Sequence, residues 1–165
     1  MTTMALRFTS VLDKSHRKEL ETLFFFHPQQ KRFHDSIMDT VKRNGMPGIV
    51  SKNGGLRIEL AGQGDIQTLY AMLEKALTRE LVGAIVYARN ADNELAIRHI
   101  VVKDDYTTGG TKAEFEVAFQ LITELRRAAQ RIGGVRGVRL PYNQRRTLLT
   151  TLPPLPTIGS QALAA

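Results

Sequence analysis

The chain of 165 residues contains no cysteine. That excludes disulfides, thiolate metal sites and cysteine nucleophiles. No apolar run approaches the roughly 20 residues that cross a bilayer as a helix, so no membrane span is expected. The opening residues, Met1 to Phe8, lack a basic stretch followed by a long apolar core. A secretory signal is therefore not expected, and the cytoplasm is the expected compartment. No serine stands in the Gly-x-Ser-x-Gly setting of a hydrolase nucleophile. No two of His16, His27 and His34 share a face within a single expected helix, so no metal site is expected. Acidic residues are the scarcer charge: 16 Asp and Glu against 23 Lys and Arg leave a net +7. Such an excess favours anionic partners, nucleic acid or a phosphorylated cofactor among them.

What is present fits a globular chain: 42% hydrophobic and 24% charged residues. This length buries enough surface for one core without metal or disulfide staples. The first 45 residues are expected to be helical. Asp13 is a candidate N-cap before a helix over Lys14 to Phe26, and a second helix is expected over Gln29 to Asn44, ended by Gly45. Gly48 to Ser51, the turn Asn53, Gly54 and Gly55, and the alternating Leu56 to Leu60 predict a hairpin. After Gly62 to Gly64, Asp65 is placed to cap a helix to about Leu77, with Ile66, Leu69, Tyr70, Leu73 and Leu77 on its buried face.

Leu81 to Tyr87 and Leu95 to Val102 read as strands around a turn at Asn90 to Asn93. Strict alternation on the second puts Leu95, Ile97, His99 and Val101 on one face. A long helix is expected over Lys112 to Ile132, capped by Thr111 and Glu114 and stopped by Gly133 and Gly134. Its apolar stripe is Phe115, Ala118, Ile122, Leu125, Ala129 and Ile132. A strand over Val135 to Leu140 follows. The expected unit is a single α/β (α+β) domain over 1–146, with a mainly antiparallel mixed sheet and packed helices. Residues 147–165, rich in Pro and Thr, read as a mobile tail. From residue 56 the order β-α-β-β-α-β also permits a ferredoxin-like core.

The stretch Glu80 to Tyr87 (ELVGAIVY), the strand Ile97 to Tyr106 (IRHIVVKDDY), the Gly109–Gly110 turn, the long helix and a strand ending before Asn143 resemble the GNAT superfamily of acyl-CoA-dependent N-acyltransferases. The resemblance spans about residues 80–143. It implies acetyl-CoA or another acyl-CoA and an amine acceptor. It implies that backbone groups of Ile100 and Val102 meet the pantetheine arm. Thr108, Gly109, Gly110, Thr111 and Lys112 would form the pyrophosphate turn, and Asn143 matches the asparagine that often follows the next strand. Helix-start amides attract phosphate through unpaired N–H groups and the helix dipole. The turn departs from the family pattern: its glycines are adjacent rather than alternating, and no Arg or Gln leads it. The tyrosine that many members carry on the following helix has no counterpart.

His99 is the candidate general base, because an unperturbed imidazole titrates near neutrality. Tyr142 is the candidate proton donor to the leaving thiolate. Asp104 and Asp105 are read as solvated or capping groups. Arg126, Arg127, Arg131, Arg136, Arg139, Arg145 and Arg146 crowd the C-terminal half, so nucleic acid remains a second candidate partner. Leu95 to Val102 carries no aromatic for base stacking. If the phenylalanines at 24 to 26 were exposed, they would form a partner surface.

Overall fold

The segment Gln67–Lys75 is apolar at both parities, which lets it serve as a strand buried on two faces. The computed structural model, which describes residues 3–25, 47–60, 65–107 and 110–140, makes it the second strand of a five-stranded sheet. The described elements are β1 (Met4–Thr9), β2 (Leu12–Asp13), α1 (Arg17–Phe25), β3 (Pro47–Lys52), β4 (Gly55–Leu60), β5 (Gln67–Lys75), β6 (Thr78–Arg89), β7 (Glu94–Val102), α2 (Val117–Arg131) and β8 (Gly137–Arg139). Short 3₁₀ turns stand at Lys14–His16, Asp104–Tyr106 and Ala113–Phe115. The large sheet has the order β1-β5-β6-β7-β8, and a small antiparallel sheet has the order β2-β4-β3. The α+β class and the mainly antiparallel mixed sheet expected from the sequence are present.

Two helical expectations fail. Met4–Thr9 is a strand, matched to β5 from Met4↔Lys75 to Thr9↔Tyr70. The expected helix over 65–77 is β5. Tyr70 and Met72 enter one core cluster, while Ala71 and Leu73 enter the other. A strand covered on both faces satisfies an i, i+3, i+4 apolar pattern by coincidence. Leu77, expected in the core, is fully exposed at the tip of the β5–β6 hairpin. The expected second helix, Gln29 to Asn44, lies outside the described residues, as do Arg145, Arg146 and the tail.

The order β1-β5-β6-β7-β8 also displaces the ferredoxin-like alternative, which needs a helix where β5 stands. β1, β5, β6 and β7 are successive antiparallel neighbours. β8 is then added parallel to β7, through Glu94↔Gly137, Leu95↔Val138 and Ala96↔Arg139. A parallel pair needs a crossover, and α2 supplies it.

The large sheet is packed on both faces. On one, Val117, Leu121, Leu125 and Ala129 of α2 meet Ala71, Leu73, Val82, Ile85, Ile97 and Val102. The buried stripe thus repeats every four residues from Val117 rather than from Ala118, which is exposed. On the other face, Leu20, Leu23 and Phe24 of α1 and Leu56, Ile58 and Leu60 of β4 cover Tyr70, Met72, Leu81, Ala84 and Val86. Phe24 is therefore core; the side chains of Phe25 and Phe26 are outside the description. Glu19 ties α1 to the sheet. Its carboxylate accepts the Leu81 amide at 3.0 Å and meets His16 Nδ1 at 2.9 Å.

The hairpin of β3 and β4 forms as expected, with Asn53 and Gly54 at positive φ. Asp13 is a cap, though of the 3₁₀ turn that precedes α1: its Oδ1 accepts the Ser15 amide at 2.8 Å. That bond to the Ser15 backbone holds the Asp13 carboxyl below its ordinary value.

Candidate functional site

β7 does not keep strict alternation. Val86 pairs with His99 and Tyr87 with Ile97, leaving Arg98 as an extra residue. This bulge reverses which parity faces which layer. Leu95, Ile97, Ile100 and Val102 all face α2. His99 lies opposite Val86, on the side covered by α1 and the small sheet, and is 8% exposed. The expectation that His99 shares a face with Leu95 and Ile97 is thereby corrected. One inserted residue changed the count, and no residue type announces it.

β7 outruns its parallel partner. The ladder with β8 ends at Ala96↔Arg139, and β7 continues to Val102. The chain then passes through Asp104–Tyr106 and Ala113–Phe115 before α2 begins at Val117. The helix thus starts five residues later than the sequence suggests, after Glu116 in the left-handed region at φ 46°. The N-cap carries no side-chain hydrogen bond.

The connection is held by its own backbone. The Gly110 amide donates to the Thr107 carbonyl at 2.8 Å, Lys112 to Asp105 at 2.7 Å and Ala113 to Gly110 at 3.3 Å. Three amides of the expected pyrophosphate turn or its edge are therefore spent on protein carbonyls. Thr108 and Gly109 lie outside the described residues, as do Tyr142 and Asn143. Thr111 is exposed and Lys112 half-buried. Asp105 serves through its carbonyl rather than its carboxylate. Asp104 is half-buried, and its Oδ1 is shielded from solvent without a hydrogen-bond partner.

Side chains bind this connection to the sheet. Tyr106, nearly fully buried, donates its hydroxyl to Glu80 Oε2 at 3.2 Å and accepts from Lys112 Nζ at 3.3 Å. Lys103 forms an ion pair with Glu80 Oε1. The Lys112 ammonium also stands 5.1 Å from the Tyr106 ring centre. Burial pushes the Tyr106 phenol above its ordinary value, so it stays protonated at neutral pH. For Glu80, burial works upward, but the hydrogen bond and charge of Lys103, with help from Tyr106 and Lys112, outweigh it and hold the carboxyl low. Sequence reasoning missed Glu80 because its partners stand 23 and 26 residues away. No local pattern marks such a contact.

A pH prediction follows from Glu80. Its folded value lies below the ordinary 4.5. Its contribution is therefore present above the unfolded value and disappears as pH falls through the folded one. Glu80→Gln is expected to lower stability at neutral pH, and the deficit should shrink as the pH falls below the ordinary carboxyl value. Urea unfolding of both proteins across that range checks it; a deficit independent of pH would contradict the assignment.

A described groove lies elsewhere. It has a volume of about 480 Å³ and sits at the β1–β5 corner beside the Asn53–Gly55 turn. Arg7 and Arg79 both turn to Glu74 there, at 3.6 and 3.2 Å. Its charges largely answer one another, and none of the residues expected in the site lines it. Among the described residues no group of three or more His, Asp or Glu is placed to hold a metal, and no helix is long and apolar enough to cross a membrane.

The chain matches no family model, no curated protein and no solved structure.

Three backbone features meet at one end of α2: the stretch of β7 beyond its β8 ladder, the 3₁₀ connection and the start of the helix. The structure brings Ile100, Val102, Gly110 and Lys112 to this α2 side of the sheet or its edge. It leaves His99 on the opposite face.

Proposed function

We propose that this protein is an acyl-CoA-dependent N-acyltransferase with a GNAT-like core. The observation that carries this reading is the parallel pair at one end of an otherwise antiparallel sheet. β7 and β8 are neighbours joined by α2, and β7 runs on beyond Ala96, where the ladder stops. An extended pantetheine arm can lie along such a strand as a further strand would, meeting its amides and carbonyls. Ile100 and Val102 are the positions proposed for that contact.

The phosphates need a different account from the one a glycine turn suggests. With the Gly110, Lys112 and Ala113 amides engaged, side-chain cations are the groups proposed to meet them. Lys112 is the first candidate, because its described partner is the neutral Tyr106 hydroxyl. Lys103 is the second, and it must leave Glu80 to do so. In the reaction the acceptor amine attacks the thioester carbonyl, a C–N bond forms and the C–S bond breaks. The amine proton passes to His99 or water, and the thiolate is protonated, with Tyr142 the proposed donor. His99 lies on the face opposite α2, beneath α1 and the small sheet, and is 8% exposed, so on this reading water takes the proton unless that cover opens.

A thermal-shift titration with acetyl-CoA and with CoA tests the reading. A ligand of the folded state raises the melting temperature in step with the logarithm of its excess. Lys112→Gln is expected to reduce that rise, measured from the variant's own unliganded melting temperature. The absence of any shift at millimolar coenzyme would remove the proposal.

A further inference from the structure

The far end of α2 gathers arginines from three parts of the chain. Arg89, at the end of β6, donates to Asn93 Oδ1 at 3.1 Å and to the Gly133 carbonyl at 3.4 Å. Its guanidinium so closely approaches Gly134 that a Cβ there would stand 3.0 Å from Nη2. Arg131 ends α2 two residues before Gly133. Arg136 follows two residues after Gly134, its amide donating to the Asn93 carbonyl at 2.7 Å. Arg139 stands on β8 beside them.

The carboxylates of this region do not neutralise the group evenly. Glu94, 7% exposed, and Asp92 both turn to Arg139, at 3.1 and 4.0 Å. Arg89 bonds only neutral oxygens in the contacts described. Arg131 and Arg136 are exposed and have no carboxylate partner among the described residues. The cations here are all arginine, whose planar fork matches phosphate oxygens in pairs. Among the described residues Ile132 is the one large apolar side chain exposed beside them. That is too little apolar surface to insert into a bilayer.

We propose that this arginine-rich end contacts the phosphate backbone of nucleic acid, without reading base sequence. Both faces of the large sheet are covered, and among the described residues no aromatic side chain stands among these arginines to stack a base. The surface is independent of the proposed coenzyme site. α2 has 15 residues, so its two ends are roughly 22 Å apart at 1.5 Å per residue.

The test is fluorescence anisotropy with a labelled mixed-sequence RNA oligonucleotide, and the same in DNA, from low to physiological salt. The double variant Arg131→Gln/Arg136→Gln is compared with Arg7→Gln/Arg79→Gln. The second pair removes the same charge from the β1–β5 corner, where Glu74 already answers it. The first pair is expected to weaken binding and to flatten the plot of log affinity against log salt by about 2. The second is expected to change it little. No binding at low salt, or equal losses from both pairs, would overturn the proposal. So would binding to anionic phosphatidylserine vesicles but not to oligonucleotides. Circular dichroism of both variants confirms that each remains folded, and because neither pair touches the β7–α2 connection, a coenzyme titration that fails leaves this outcome unchanged.

Discussion

Leu121→Ala is expected to destabilise the protein by about 2–5 kcal/mol, the range for emptying a fully buried leucine site. Leu121 is wholly buried between α2 and the large sheet, and its methyl group lies over Gly83 of β6. A Cβ on Gly83 would stand 2.9 Å from Val117 Cγ1, 3.0 Å from Leu121 Cδ1 and 3.2 Å from the Val101 carbonyl oxygen. The helix therefore sits on the sheet where a side chain is missing. Gly83→Ala alone overpacks this contact and is expected to cost about 1–3 kcal/mol. In the Leu121→Ala background that cost should fall, because one of the three close atoms is gone. Chemical denaturation of the two single variants and the double variant measures the coupling. Strict additivity would show that α2 does not rest on Gly83.

Gly110→Ala carries the second large effect. An added Cβ would fall on the Asp105 carbonyl oxygen and lie 2.7 Å from that of Asp104. Both are backbone atoms, so the 3₁₀ connection itself must move. The bonds from the Gly110 amide to Thr107 and from Lys112 to Asp105 move with it. A cost of about 1–3 kcal/mol is expected, with the loss concentrated between β7 and α2. Hydrogen exchange should rise at the Gly110, Lys112 and Ala113 amides and stay unchanged in β3 and β4. If the coenzyme reading is right, loosening these amides also alters the thermal shift with CoA. If only the exchange rates change, the connection is a scaffold and the coenzyme's phosphates are met elsewhere.

Much of the fold was legible where the signal was local. Asn53, Gly54 and Gly55 mark a turn by their conformational preference, and the hairpin is there. Leu81 to Tyr87 is apolar throughout, and β6 runs through the middle of the large sheet. The long helix before Gly133 is present with Leu125 and Ala129 in its core. Its start lies later than the sequence suggests because Thr111 and Glu114 match a capping pattern, whereas the backbone breaks at Glu116 instead. β5 reads as a helix because a strand buried on two faces and an amphipathic helix can share one apolar pattern over nine residues.

The candidate site was less legible. The bulge at Arg98 is what puts Ile100 and Val102 on the α2-facing side with Leu95 and Ile97. Glu80, Lys103, Tyr106 and Lys112 come together across long stretches of chain, by register and loop closure. Neither leaves a trace in the spacing of residues.

The amino-acid sequence by itself determined the absence of thiol chemistry, the positive charge, the β3–β4 turn, the apolar β6 and the existence of α2. Each depends on residue type or on neighbours within a few positions. Only the tertiary structure decided that Met4–Thr9 and Gln67–Lys75 are strands, that β8 joins β7 in parallel and that His99 faces away from α2. Strand pairing links residues far apart in the chain, and one bulged residue reverses every side chain beyond it.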